Sequence, residues 1–419
     1  MLNSLTVRGF KSLVDVGPVE MAPLTVFFGP NAVGKSNLLD AVVALSRLAT
    51  ARTVAEALEG GVRGLPLELF SFPDHAGLPG LLSRSEASCE LGADLSAADS
   101  GRYRYRIKIA ITPSSGSLSV EDEYLTSLTK TGTTAGRKAV IEREQEVIRI
   151  RRRTKPAHPW EEKVGLNHAV LSNNRYSGKE YAQIETVRKI LSSFRTYYLD
   201  PRTAMRQSQS PREVVDIGSL GEDIASFLYR LKAERPKVFQ SVRRTLATVI
   251  PGVDDLMIDL DERRGVVNVE VRQRGTPFSS RVISEGTLRV LALICVATNP
   301  WGGSLIAFEE PENGVHPRRV ELIARILASL ALRQQDRQQV ILTTHSPVFC
   351  NSVRRLAEEH PQEVRMYRTT VSDDGKTRIV PFEPAGPLFA DSEIPTALTD
   401  QGVEADRASC ARLSPLPLG

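Results

Sequence analysis

Gly29-Pro30-Asn31-Ala32-Val33-Gly34-Lys35-Ser36 sets two glycines, a lysine and a serine at the spacing G-x-x-x-x-G-K-[ST]. Glycines let backbone N–H groups wrap an anion, and a helix starting directly after them adds partial positive charge. The chemistry suits a nucleoside triphosphate. Lys35 would reach the β- and γ-phosphates and Ser36 would hold Mg²⁺, with Gly29, Asn31, Gly34 and Asn37 completing the contact loop. The bland alternative is a glycine-rich turn that binds nothing; the strand before it and the helix after it argue against that.

Three further clusters fit the same chemistry. Leu305-Ile306-Ala307-Phe308-Glu309-Glu310 is an apolar run that ends in two carboxylates. Alternation at a strand end sends them to different sides, so Glu309 would hold Mg²⁺ through water and Glu310 would polarise the attacking water. Two adjacent glutamates alone read as a solvated turn; a buried strand and a phosphate loop in the same chain reverse that reading. Thr343-Thr344-His345-Ser346-Pro347 offers a histidine able to donate to a γ-phosphate. Ile283-Ser284-Glu285-Gly286-Thr287-Leu288-Arg289 precedes an apolar helix, where by itself Ser284 reads as an N-cap beside a loop glycine.

These residues need elements to position them. Leu24–Phe28, Ser304–Phe308 and Val340–Thr343 are short continuous apolar runs, each followed by a helical pattern, as expected of parallel strands buried on both faces. Helices are expected over Ser36–Leu48, from Pro317 through Leu330, and from the Ser346-Pro347 cap. The fold class is therefore α/β, a P-loop NTPase core interrupted by a long insertion. Arg102–Ile111, Leu118–Leu125 and Val147–Arg153 alternate with period two and predict a β-meander of three or four strands. Ile184–Phe194, Leu220–Leu231 and Pro236–Val249 read as helices, and Val267–Val271 as a strand. The expected segments are 1–95 with the P-loop, an insertion over 96–275, a second part of the core over 276–381, and a loop-like tail over 382–419.

Composition narrows the class. Of 419 residues 41% are hydrophobic and 25% charged, which is globular, and a net charge of +4 permits a nucleic-acid partner without demanding one. Cys89, Cys295, Cys350 and Cys410 lack the paired spacing of zinc or redox sites. The N-terminus reads as a strand without a signal peptide's apolar core, and the longest apolar run, Val290–Thr298, is too short to span a bilayer. The expectation is a cytoplasmic protein with no membrane partner.

In their order, these motifs resemble the ABC-type ATPases of the SMC, RecF and OLD (overcoming-lysogenization-defect) group. Leu5-Thr6-Val7-Arg8-Gly9-Phe10-Lys11-Ser12-Leu13 is similar to the group's first strand. Glu309-Glu310-Pro311-Glu312-Asn313-Gly314-Val315-His316-Pro317 is similar to its E-E-P-E-x-x-x-H-P stretch, which implies a D-loop over Glu312–Val315. Ser284 and Gly286 resemble the ABC signature motif, and the resemblance implies that they bind the γ-phosphate of ATP held by a second subunit. Tyr197-Tyr198-Leu199-Asp200-Pro201-Arg202 is similar to the short prokaryotic branch of AbiEii- and OLD-like ATPases, grouped with AAA proteins and lacking a TOPRIM domain. Two departures stand out. Glu309 replaces the usual Walker B aspartate, and no glutamine lies between the P-loop and Gln145, so Glu68, Asp74 or His75 would have to serve as the Q-loop residue.

The resemblance implies a homodimer joined through ATP and Mg²⁺, able to build a higher oligomer, in prokaryotic DNA repair or anti-phage defence. Its output would be DNA or a partner effector, a nuclease or toxin subunit, because no metal-carboxylate constellation is legible beyond the ATP site. The alternative is an ATP-bound scaffold that holds a toxin with little turnover; a transporter subunit fits less well. For DNA, Arg102, Arg104, Arg106 and Lys108 share one strand face and Arg149, Arg151 and Arg153 another, giving a basic surface. The competing expectation is that Glu121, Glu123, Glu142, Glu144 and Glu146 neutralise them. Arg202, Arg206 and Arg212 form a second basic candidate.

Overall fold

A computed structural model describes residues 1–73, 76–98, 101–136 and 138–384. The chain forms two compact units. One comprises Met1–Ala22, Gly29–Phe194 and Tyr367–Phe382; the other comprises Pro23–Phe28 and Arg195–Met366.

The first unit is built on an eight-stranded sheet in the order Leu13–Glu20, Leu2–Phe10, Ala87–Ser96, Arg102–Thr112, Ser117–Leu128, Ile141–Glu144, Val147–Ile150, Trp160–Lys163. Every neighbouring pair is antiparallel. The expected meander is there as four strands. Its alternation has the predicted cause: Tyr103, Tyr105, Ile107 and Ile109 are buried while the basic residues between them face outward. The meander does not stand alone, because Ala87–Ser96 pairs along the whole of Arg102–Thr112 and covers an edge that would otherwise leave backbone donors unpaired.

Helix Lys35–Leu48 also lies in this unit and buries Leu38, Leu39, Val42, Leu45 and Leu48. Buried among them is Asp40, held by Lys11 at 2.6 Å and Arg63 at 3.2 Å. The two cations offset the cost of burying a carboxylate with no exposed surface.

In the second unit Phe194–Tyr197, Leu305–Glu309, Gln339–Thr344 and Leu24–Phe28 lie side by side in that order. The last three run parallel, as their unbroken apolar character predicted, and almost every residue in them is buried. Helix Glu285–Thr298 is buried continuously from Thr287 to Val296, which explains why its sequence is apolar on every side. Helices Pro317–Leu332 and Pro347–Glu359 start where expected, the latter capped by Ser346, whose side chain accepts from the Phe349 N–H.

The helix expected over Leu220–Leu231 begins only at Ile224. Gly218 and Gly221 both have φ near +80°, and the backbone N–H groups of Tyr198 and Asp200 donate to the carbonyls of Ser219 and Leu220. Those bonds draw residues 217–222 into a turn beside the chain at 198–200, at the expense of a first helical turn. The strand expected at Val267–Val271 is the middle of a three-stranded antiparallel sheet, Val253–Asp261, Val266–Gln273 and Thr276–Ser279. Cys89, Cys295 and Cys350 are buried; Cys410 and the tail from residue 385 lie outside the described residues. Among the described residues no helix is long and apolar enough to cross a membrane.

Candidate nucleotide site

The P-loop cluster lies in the first unit. Gly29, Ala32 and Gly34 all have positive φ, 155°, 63° and 93°, so the loop curls its N–H groups inward. Side chains cannot replace the glycines: a Cβ on Gly34 would sit 2.1 Å from Thr377 Oγ1 and 2.6 Å from Ser12 Oγ, and one on Gly29 would sit 2.2 Å from the Thr369 carbonyl oxygen. The helix that follows has Gly34 at its N-cap with no side chain capping it, so the positive end of its dipole faces the loop. Lys35 is 5% exposed and its ammonium donates to the carbonyls of Gly29 (2.8 Å) and Pro30 (2.6 Å), a geometry that holds one positive charge inside the loop. Asn31 is exposed and Ser36 half-buried. A triphosphate fits this cradle on three counts: positive-φ backbone, an uncapped 14-residue helix and a centred cation.

Asn37 takes another role. Its side-chain amide donates to Ser12 Oγ at 2.8 Å. Ser12 in turn meets Thr377 Oγ1 at 2.7 Å, and Thr377 donates to the Val33 carbonyl at 2.9 Å. Ser12, Asn37 and Thr377 thus brace the loop from behind. Ser12 and Thr377 were not among the expected site residues, since nothing local in sequence joins positions 365 apart. Glu68 accepts the Leu65 N–H at 2.8 Å and caps a 3₁₀ turn; Asp74 and His75, the other Q-loop candidates, lie outside the described residues.

A carboxylate cluster lies in the second unit. Register pairs Phe28 with Thr344 and Thr343 with Glu309, so the three parallel strands end at one edge of their sheet. From that edge the chain passes into Gly29, Glu310 and His345. Ligands gather outside the carboxyl ends of strands in open α/β sheets. Glu309 is the last strand residue and half-buried. Glu310 turns out of the strand with φ 45°, unusual for a residue with a side chain, while its N–H donates to the Thr343 carbonyl. One carboxylate oxygen lies 2.8 Å from His345 Nδ1 and the other accepts from Asn313 Nδ2 at 2.7 Å. The two residues expected to be catalytic are therefore in direct contact. Two fixed partners orient Glu310, as a group that must align a water requires.

Two residues beyond Glu310, Glu312 is buried and accepts a short hydrogen bond from Thr344. Its other oxygen has no hydrogen-bond partner. Burial pushes its carboxyl up to about 7, against the pull of Thr344 and His345 and with Glu310 adding to the rise. The ordinary value is 4.5, so the folded state keeps this proton to higher pH than the unfolded chain does. Its contribution to stability is complete below that value and is lost as pH rises through about 7. Glu312→Gln has no proton to lose. In urea melts it should gain on the wild type by about 2–3 kcal/mol between pH 4 and pH 8, and parallel stability curves across that range would remove the buried carboxyl from the account.

Ser284 caps helix Glu285–Thr298, its oxygen accepting the Thr287 N–H at 3.1 Å. The bland role is thus real, and Ser284 is also exposed at the head of that helix. Gly286 packs closely on the Glu312–Val315 turn: a Cβ there would lie 3.1 Å from the Gly314 carbonyl oxygen. Arg206 fixes the approach to this motif. Its guanidinium donates to four carbonyls, those of Pro201 (2.8 Å), Ser280 (3.0 Å), Arg281 (2.6 Å) and Ile283 (2.9 Å). Arg289, buried on the helix, donates to the Leu199 carbonyl at 3.2 Å. Burial lowers its pKa, while Glu312, Glu285, Asp200 and Glu310 raise it. The turn at 199–206 is therefore the mount on which the Ser284–Gly286 segment sits. Arg206 is therefore a clamp for this segment and not part of a free basic patch, as its distant carbonyl partners reveal.

Most of the other basic candidates are neutralised, while Arg102 donates to the Lys130 carbonyl. Arg104 pairs with Asp94 (2.7 Å), Arg106 with Asp122 (2.7 Å), Lys108 with Glu121 (3.0 Å) and Arg149 with Glu161 (2.9 Å) and Glu144. Arg151 is buried against Glu142, and Arg212 pairs with Asp223. Glu123 faces inward, accepting from Tyr105 and from the N–H groups of Val170 and Leu171. Of the two expectations for these strands, carboxylate pairing is the one observed.

A family model described as "AAA domain, putative AbiEii toxin, Type IV TA system" matches residues 24–351, most of the chain. The chain belongs to that family. The matched range takes in Gly29–Ser36, Ser284–Gly286, Glu309–Glu312 and His345. This AAA domain accordingly stands among the P-loop ATPases, which generally use ATP and Mg²⁺. It is similar to the SMC head domain from Thermotoga maritima, at 13% identity over 91% of this chain and 99% of that one, with a TM-score of 0.42. It is also similar to the recombination mediator protein RecF bound to ATPrS, at 13% identity over 91% and 98%, with a TM-score of 0.40. No curated protein matches it by sequence.

Proposed function

We propose that this AAA domain binds and hydrolyses ATP as a homodimeric switch in a prokaryotic DNA-repair or anti-phage defence system, gating DNA or a partner effector such as a nuclease or toxin subunit. The observation that carries the reading is Glu310, held between His345 and Asn313 at the sheet edge where the strand leading into the P-loop also ends. Lys35 and the loop N–H groups bind the β- and γ-phosphates; Ser36 and Glu309 hold Mg²⁺, which would offset phosphate charge. Glu310 polarises the attacking water, and His345 orients Glu310 and senses the γ-phosphate. Ser284, exposed at a helix N-terminus, and the half-buried Gly286 cap the nucleotide of the second subunit. The toxin system in the family's description supports a defence setting.

Phosphate release tests the enzyme. The full chain should release phosphate from Mg-ATP, and Lys35→Ala should reduce the rate by at least about 10²-fold through loss of the only charge inside the loop. Equal turnover in Lys35→Ala would place hydrolysis elsewhere and overturn the assignment.

A further inference from the structure

Arg202 is the exposed charged residue of the 199–206 mount, next to the exposed Thr203. It is 79% exposed and touches a single group, the Glu285 carboxylate, through Nε at 3.0 Å. Among the described residues its two Nη groups have no protein partner. Its backbone, by contrast, is fixed. The Asp200 carboxylate accepts from the N–H groups of Arg202 (3.0 Å), Thr203 (3.1 Å) and Ala204 (3.3 Å), and Arg206 ties the same turn to the carbonyls of residues 280–283. An exposed ion pair made only for stability is worth little and needs no such mount.

Glu285 also poses a problem that Arg202 resolves. Its carboxylate belongs to the first turn of the helix that Ser284 caps, and an unscreened negative charge at that helix end opposes a phosphate. Pairing with Arg202 cancels that charge and leaves four N–H bonds of the guanidinium directed away from Glu285. Guanidinium geometry suits phosphate oxygens.

We propose that Arg202 is a phosphate-binding arginine acting in trans: from beside Ser284 and Gly286 it reaches the γ-phosphate of ATP held by the P-loop of the second subunit. This rests on the dimeric reading above. In the reaction, water adds to the γ-phosphorus as the bond to the β–γ bridging oxygen breaks, and ADP and phosphate leave. Arg202 exchanges no proton; it balances the charge on the transferring oxygens, with Glu285 holding it ready between cycles.

Mixing variants tests the proposal. Arg202→Ala should lower kcat by about 10²-fold or more, as loss of a cation at a transferring phosphoryl group does. Lys35→Ala is inactive by another route. Mixed one to one, the two should give activity well above their sum, because a mixed dimer carries one site with Lys35 from one chain and Arg202 from the other. Lys35→Ala mixed with Ser284→Ala is the control. If the control pair recovers activity and the Arg202 pair does not, Arg202 does not act in trans and the proposal falls while the dimer stands. If neither recovers, the dimeric reading falls and takes the proposal with it. The double variant Arg202→Ala/Glu285→Gln separates contact from neutralisation. It should stay as slow as Arg202→Ala; recovery to wild-type turnover would show that Arg202 only cancels Glu285.

Discussion

Glu310→Gln should lower the rate of phosphate release by about 10²–10³-fold while ATP binding persists. The substitution keeps the side chain's shape and its acceptor oxygen, so the contact with either His345 or Asn313 can remain, but it removes the negative charge that polarises water. Glu310 is placed for that task at some cost, since φ 45° is a conformation that a residue with a Cβ adopts at the expense of about 1 kcal/mol or more. A fold that needed only a solvated turn after Leu305–Glu309 would place glycine or asparagine there. Because binding depends on Lys35 and the loop N–H groups, affinity for ATP should change little. Single-turnover hydrolysis with pre-bound ATP separates the two steps. A variant that hydrolyses at the wild-type rate contradicts the role of Glu310, and one that no longer binds ATP makes it a structural residue of the loop.

Gly34→Ala should be nearly as severe, by a different route. At φ 93° a Cβ costs about 1–3 kcal/mol in backbone strain alone. It would also sit 2.1 Å from Thr377 Oγ1, so the Ser12–Asn37–Thr377 brace has to open. Affinity for ATP should fall by about 10²-fold, the equivalent of some 3 kcal/mol, and Thr377→Ala should restore only part of it because the strain remains. Isothermal titration with a non-hydrolysable ATP analogue reads the effect. Wild-type affinity in Gly34→Ala would mean that the loop does not hold the phosphates in this conformation.

The legible part of the fold was its short-range part. Leu24–Phe28 and Pro236–Val249 appear at the boundaries their patterns gave, since apolar runs and helix periodicity are local signals. The Ser346-Pro347 cap was legible for the same reason. Distant pairings were not. The sheet that joins Leu2–Phe10 and Ala87–Ser96 to the meander has no local signature, and Thr377 reaches the P-loop only through tertiary structure. The basic strands show the limit most clearly. Their arginines alternate as a phosphate-binding face would, and only the cross-strand register reveals that Asp94, Asp122 and Glu121 stand opposite them. In the site itself, residue types and spacing gave Lys35, Glu310 and His345. They could not tell that Asn37 turns back to Ser12 or that Arg206 clamps the segment before Ser284.

Multi-angle light scattering on the Glu310→Gln variant tests the central claim most directly. The chain weighs 46.1 kDa. If ATP is capped by Ser284 and Gly286 of a second subunit, Mg-ATP should double the mass of this variant and Mg-ADP should not. Adding Ser284→Arg to it should return the mass to that of one chain. A mass that is the same with ATP, with ADP and without nucleotide would contradict a nucleotide-joined dimer.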